Sequence, residues 1–301
     1  MTTVRGKILI SGGSGLIGSA LCPLLAANGY QITRLVRRRS SEEGGISWDA
    51  EKPLAPGSVS GFDAVIHLAG ETIVGRWTKE KKTAIRNSRV LGTKNLAEAV
   101  SRAPQRPQVF ISASAIGYYG DRGEEVLREG SPSGTGFLPE VCREWEAATK
   151  PAADAGIRTL QMRFGVVLSA AGGALAKMLT PFRLGLGGRI GNGRQWWSWV
   201  DLQDVVGAIL YVIKNSSLCG PVNVVSPNPV TNAEFTKTLA SVLSRPAIFP
   251  IPAFAARIAF GEMADELFMA SQRVEPARLL ASGYVFQQID LEGCLRNILR
   301  T

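Results

Sequence analysis

Cysteine is scarce in this 301-residue chain, and the four that occur keep apart. Cys22, Cys142, Cys219 and Cys294 make no CxxC pair, which excludes a thiolate metal knuckle and a dithiol redox motif. They read as small buried hydrophobes in a reducing compartment, and no metal site is expected. Long apolar runs are also missing: nothing approaches the roughly 18 uninterrupted apolar residues of a membrane span. Met1 to Lys7 leads straight into a strand-like stretch and has none of the pattern of a secretory leader. A cytoplasmic setting is therefore expected. Internal repeats and low-complexity linkers are absent, so the chain should pack as one body. The net charge of +9 raises the question of nucleic acid, but no helix-turn-helix, zinc-finger or RNP-type pattern accompanies it. Arg34, Arg37, Arg38 and Arg39 form the one tight basic cluster, and a small anionic ligand accounts for it. The expected partner is a small-molecule substrate or ligand, neither nucleic acid nor membrane, and the oligomeric state is left open.

Hydrophobic residues make up 45% of the chain, enough for a large core. Short β-rich runs alternate with helical segments, which predicts a parallel sheet wrapped by helices. Strands are expected over residues 7–11, 31–36, 64–68, 109–114, 158–168 and 222–225. Helices are expected over 16–28, 138–155 and 201–214. Gly29 is placed as a helix stop and Asp201 as a helix start, and Thr231 to Glu234 matches a capping box. Residues 172–193 are rich in glycine and interrupted by Pro181, predicting a short helix and a loop across a cleft. The tail beyond the proline-rich 246–252 reads as helical.

Gly12-Gly-Ser14-Gly15-Leu16-Ile17-Gly18 follows the first strand and opens the first helix. This GxxGxxG spacing is a variant of the dinucleotide fingerprint: Gly12 permits a tight turn, Gly15 a close approach of backbone to pyrophosphate, and Gly18 close helix packing. The helix start supplies N–H groups and a positive dipole end. The second strand then ends in Arg37, Arg38 and Arg39, with no acid before Glu42. A carboxylate there would hold a ribose 2′-hydroxyl, whereas guanidinium clasps a 2′-phosphate, so Arg37 and then Arg38 point to NADP(H). The fold class is α/β, a Rossmann-like doubly wound parallel sheet with a smaller, mainly helical C-terminal lobe. Residues 1–170 and 201–226 are assigned to the first part, 171–200 and 227–301 to the second.

With this turn, Asp63-Ala-Val-Ile-His67-Leu68-Ala69-Gly70 and Ser112-Ala-Ser114, the sequence resembles the extended short-chain dehydrogenase/reductases, the epimerase-like group. Ala69-Gly-Glu-Thr-Ile73, Gly117-Tyr118-Tyr119-Gly120, Trp145-Glu-Ala-Ala148 and Pro181-Phe-Arg-Leu-Gly-Leu-Gly-Gly188 narrow the resemblance to an atypical branch. Its members are known as epimerase family proteins and carry a C-terminal domain of unknown function. The resemblance implies that Leu68, Ala69 and Gly70 pass beside the adenosine and pyrophosphate, that His67 is packed inside its strand, and that Ser114 is the serine ending the fifth strand. It also implies a Tyr-x-x-x-Lys pair, and none exists here. The tyrosine position falls at Phe137 or Leu138 and the lysine position at Val141 or Cys142, while Arg89 stands where the family has an asparagine. Arg89 and Arg163 are candidate cofactor contacts, and Arg163, flanked by apolar residues in a β-run, needs an anionic partner. Tyr118 and Tyr119 are the candidates to replace the missing tyrosine, with Ser114 orienting the substrate. The Trp196-Trp197-Ser-Trp199 run fits either a pocket lining or packing between lobes. Two functions follow: an NADP(H)-dependent oxidoreductase or epimerase acting on a small hydroxyl or carbonyl compound, or a non-catalytic NADP(H)-binding regulator, in a process such as cell division.

Overall fold

The apolar run GKILIS forms the first strand, β1 (Gly6–Ser11), because its alternate side chains find cores on both sides. A computed structural model describes residues 5–36 and 45–300. Ile8 and Ile10 face one layer with Leu21 and Leu25 of α1 (Leu16–Ala27), while Leu9 faces the other. β2 (Tyr30–Val36), β3 (Ile46–Ser47) and β4 (Ala64–His67) follow. After the long helix α2 (Lys79–Ser101) come β5 (Val109–Ala115), α3 (Phe137–Ala147), β6 (Arg158–Phe164), α4 (Gly173–Arg183), α5 (Leu202–Lys214) and β7 (Gly220–Val224). The seven strands form one parallel sheet in the order β3-β2-β1-β4-β5-β6-β7. The expected Rossmann-like α/β class is what the chain adopts. Strand order reverses between β1 and β4, and in such sheets that point opens a crevice at the carboxyl ends of the strands.

Two of the expected elements are divided in the structure, each for a local reason, while the helix Lys79–Ser101 and the short strand Ile46–Ser47 are not among the expected elements. The single strand over 158–168 is two, since Val166–Leu168 leaves the sheet to pair with Trp199–Asp201. Gly165 makes the change: its N–H donates to Val224 O, and a Cβ there would lie 2.5 Å from Ser198 O. The helix over 138–155 breaks after Ala147 and restarts as Lys150–Asp154, where Pro151 has no N–H to continue the ladder. Asp201 caps α5 by accepting from Gln203 N, and the Thr231/Glu234 capping box is formed. Three cysteines are buried as expected; Cys219, in the turn just before β7, is exposed.

The C-terminal portion is mainly helical, with α6 (Asn232–Val242), α7 (Ala253–Phe260) and α8 (Leu291–Leu299). Its own core joins Phe235, Leu239, Cys294 and Leu295 to Trp199 and Leu168. The buried carboxylate of Asp204 ties it down by accepting from the N–H groups of Gln287 and Gln288. No helix among the described residues is long and apolar enough to cross a membrane.

His67 sits fully buried at the end of β4, sharing a 2.6 Å hydrogen bond with Ser11 Oγ while its Nε2 has no partner among the described residues. Burial, reinforced by the Arg89 charge, pushes its pKa from 6.5 down to about 4. The unfolded chain therefore takes up the proton first. Stability present above pH 6.5 should fall as pH drops toward about 4, by about 3 kcal/mol in all. Urea unfolding across this range should show that slope, and His67→Gln should lose it; an unchanged slope in the variant would assign the titration to another group.

Candidate functional site

The crevice between β1 and β4 is built from backbone. Gly12 adopts φ +73°, and a Cβ on it would come within 2.7 Å of Ala69 N, so the turn presses against the exit of β4. Leu68 N donates to Ser11 O at 3.1 Å and Ala69 N to Ser11 Oγ at 3.4 Å, fixing the two strand exits side by side. Gly18 faces the turn itself, where a Cβ would fall 2.6 Å from Gly13 Cα. Gly15 differs from both. It is exposed, and its Cβ would meet only Gly12 O, at 3.3 Å. Gly15 is also the N-cap of α1, which has no side-chain cap and no acidic residue in its first turn. The start of the helix thus lacks a side-chain cap and has no first-turn carboxylate to neutralise the dipole, beside the exposed Ser14. This cradle fits a pyrophosphate.

Arg34 of β2 lies along the turn, its Cδ and Nε 3.4 Å from where a Gly13 Cβ would be. Sequence reading counted it within the basic cluster without selecting it; its register opposite Ile10 of β1 was the available signal. Arg37 and Arg38 lie outside the described residues.

Arg89 projects from α2 to the β4 exit. Its Nη1 donates to Glu71 O at 2.9 Å and Ile85 O at 3.2 Å. The guanidinium lies 5.1 Å from the Trp145 ring centroid on one side and against Gly70 on the other, where a Cβ would sit 3.4 Å from Cζ. No carboxylate among the described residues reaches it within salt-bridge distance; Glu71 instead pairs with Lys81 at 2.7 Å. Burial lowers the Arg89 pKa, although a guanidinium remains charged. It is a half-buried cation beside the crevice.

The far side of the crevice is occupied. Arg163, on β6 and 2% exposed, makes a bidentate pair with Glu146 of α3 through two 2.7 Å bonds. Its Nη1 donates to Tyr119 OH at 2.9 Å and to Glu129 O at 3.2 Å. Burial opposes the charge on Arg163, but the Glu146 carboxylate outweighs it and holds the pKa above the usual arginine value. Ser114 Oγ donates to Glu146 Oε1 at 2.7 Å, and Tyr119 OH reaches Asn223 Oδ1 at 2.7 Å. Burial pushes the Tyr119 hydroxyl up to about 12. Ser114 and Tyr119 are thus both buried and committed internally. Tyr118 is half-buried, with its ring 3.5 Å from Arg163 Cζ, and its hydroxyl makes no hydrogen bond among the described residues. The structure gathers Ser114, Tyr118, Tyr119 and Arg163 into one cluster, and of the three hydroxyls it leaves only that of Tyr118 uncommitted. Glu146 is the member that sequence reading missed.

The first turn of α3, where a Tyr-x-x-x-Lys pair would begin, turns an apolar face inward and leaves its one acid, Glu140, exposed. Leu138 and Cys142 are buried beside Gly117, and burial pushes the Cys142 thiol up to about 12. Glu266 from the C-terminal portion accepts from Phe137 N and Leu138 N at 2.7 and 2.6 Å, capping the helix from a distance. The tryptophan run is packing: Trp199 is fully buried, Trp197 stacks on Phe235, and Trp196 Nε1 donates to Glu124.

Comparison with known proteins places these features. Residues 8–225 match the NAD dependent epimerase/dehydratase family, and residues 251–298 match a domain of unknown function, DUF1731. The chain is 42% identical to the epimerase family protein ML0860 of Mycobacterium leprae, over 94% of this chain and 92% of that one. It aligns with the crystal structure of human epimerase family protein SDR39U1 (isoform 2) with NADPH at a TM-score of 0.90 and 34% identity, covering 98% and 99% of the two chains. The nucleoside-diphosphate sugar epimerase of Corynebacterium glutamicum aligns at 0.82 and 39%, covering 98% of this chain and 58% of that one.

A buried guanidinium deprived of its carboxylate is costly. Glu146→Ala should therefore reduce unfolding free energy by about 3–5 kcal/mol, and Glu146→Gln, which keeps one acceptor, by less. Denaturant titration measures both; an alanine variant within about 1 kcal/mol of the parent would mean that water or another acceptor takes over.

Proposed function

The chain belongs to the NAD dependent epimerase/dehydratase family, and on that premise we propose that it binds NADP(H) and acts as an oxidoreductase or epimerase on a small hydroxyl- or carbonyl-bearing compound. The observation that carries the proposal is the uncapped start of α1 with Gly15 open beside it. Gly12, Ser14, Gly15, Leu16, Ile17 and Gly18 would hold the pyrophosphate, with Leu68, Ala69 and Gly70 beside the adenosine. Arg37 and Arg38 would take the 2′-phosphate, and the crystallised human relative carries NADPH. Arg89, lacking a carboxylate, would turn its unused N–H groups to the bound dinucleotide. Arg163 would act through Tyr118, holding its ring in place, because every nitrogen of its guanidinium is already engaged.

The nicotinamide, when bound, supplies the hydride donor or acceptor. Proton movement at the substrate oxygen is left to this chain, and Tyr118 Oη is the one candidate hydroxyl free to take part. The position of Ser114 favours orientation: with its proton directed at Glu146, its oxygen offers lone pairs. The same commitment of Ser114 and Tyr119, together with the apolar inner face at the start of α3, favours a second reading, a non-catalytic NADP(H)-binding regulator.

Fluorescence titration should show NADPH binding more tightly than NADH. Arg37→Ala should weaken NADPH by about 1.5–3 kcal/mol and leave NADH near its starting value. Gly15→Val should remain folded by circular dichroism yet bind neither, since a branched side chain fills the approach to the turn. Equal affinity of the parent for both cofactors would defeat the NADP(H) assignment, and normal binding by folded Gly15→Val would defeat the cradle.

Tyr118→Phe separates the two functional readings. It keeps the ring on Arg163 and deletes only the hydroxyl, so NADPH affinity should hold while turnover falls by about 10²–10⁴ on a substrate found by metabolite screening. Undiminished turnover would clear Tyr118 of the proton, and a screen with no substrate would favour the regulator.

A further inference from the structure

The C-terminal portion carries an apolar face that the cofactor site does not use. Of the fourteen large hydrophobic side chains exposed among the described residues, eight fall in two segments, 184–186 and 248–260. Leu184, Leu186, Ile248, Phe249, Phe254 and Ile258 are each more than 60% exposed. These segments are neighbours in space. Arg245 Nε donates to Arg183 O, Ile251 N to Arg189 O, and Gly191 N to Ile251 O. Phe254 and Ile258 then continue the face as an i,i+4 pair on α7, whose only buried residue is Ala256.

The charge of this face has one sign. No Asp or Glu occurs between Ala155 and Val200, or between Phe235 and Gly261, while Arg183, Arg189, Arg245 and Arg257 are all exposed there. Of these four, only Arg257 has an acidic partner among the described residues, Asp265, at 3.0 Å. Exposed apolar side chains ringed by arginines, of which Arg183, Arg189 and Arg245 have no acidic partner among the described residues, are complementary to a surface that is greasy below and anionic above. A second copy of the chain fits less well, because a twofold contact through this face would set its arginines against themselves.

We propose that this face docks peripherally on an anionic lipid surface, with the phenylalanine, leucine and isoleucine side chains entering the headgroup boundary and the arginines meeting lipid phosphates. This departs from the expectation that no membrane is involved. It requires no spanning helix and is independent of the cofactor reading.

Sedimentation of the whole protein with vesicles tests it, comparing phosphatidylcholine alone with phosphatidylcholine plus phosphatidylglycerol. The protein should pellet with the anionic vesicles only and be released as salt is raised. Phe254→Asp with Ile258→Asp should weaken that partitioning about tenfold or more, and Arg183→Glu with Arg189→Glu about fivefold per arginine engaged. NADPH titration and circular dichroism show that each variant is folded. The proposal is overturned if the parent ignores anionic vesicles, if it binds neutral ones equally, or if the double aspartate variant pellets like the parent. A concentration-dependent dimer, seen by sedimentation velocity and lost in that variant, would overturn it in favour of self-association. Binding to polyglutamate but not to vesicles would overturn it in favour of an acidic protein partner.

Discussion

A guanidinium at the carboxyl end of the sheet sets the terms for half of this molecule. Arg163 is on an interior strand and almost without solvent, so its charge had to be met by a carboxylate and its remaining N–H groups by further acceptors. Glu146 answers from α3, Tyr119 and the Glu129 carbonyl from the loops after β5, and Tyr118 covers the open plane of the cation. Once those partners are placed, the course of the chain from 114 to 129 is largely determined. Ser114 is drawn to Glu146 and Tyr119 to Asn223, because a low-dielectric network tolerates no loose ends.

The two sides of the crevice therefore differ in character. On the β1 side the site is made of backbone, with Arg34 lying along the turn. Two glycines close the turn tightly, a third leaves it open, and the helix behind it has no cap of its own. Such a place is stabilised by binding an anion, since its N–H groups otherwise face only water. On the β5 and β6 side Arg163, Ser114 and Tyr119 are all engaged internally, which favours rigidity, and Tyr118 carries the one uncommitted hydroxyl of the cluster among the described residues. Arg89 stands between them, its guanidinium over the Trp145 ring and only its Nη1 hydrogen-bonded among the described residues.

Much of the first side was legible in sequence because its signals are local. A buried strand, a glycine turn and a helix follow one another within about 20 residues, and φ > 0 at Gly12 leaves few alternatives. Arg163 could be read as needing an anion, because a cation in an apolar β-run has no other way to be buried. Its partner could not be read: Glu146 sits on an amphipathic helix where a carboxylate looks like any solvated one. The break at Gly165 depends on Ser198 approaching from 33 residues away along the chain, and no local pattern announces it. Arg34 was visible as a charge, but its value lay in pairing register, which composition does not express.

The first turn of α3 shows why the missing Tyr-x-x-x-Lys pair and the C-terminal portion belong to one account. That turn presents Phe137 to Trp77 and buries Leu138 with Met263, while Glu266 accepts from both backbone N–H groups. A tyrosine at position 138 would have to direct its hydroxyl from a site now sealed by Ile85, Trp77 and Met263. A lysine at 142 would carry its ammonium toward the cations Arg89 and Arg163, while the nearby Glu146 carboxylate is already committed to Arg163. The apolar residues at both positions are thus what this packing requires. The C-terminal portion is held by α3 through contacts at the very positions where the family's usual pair would begin.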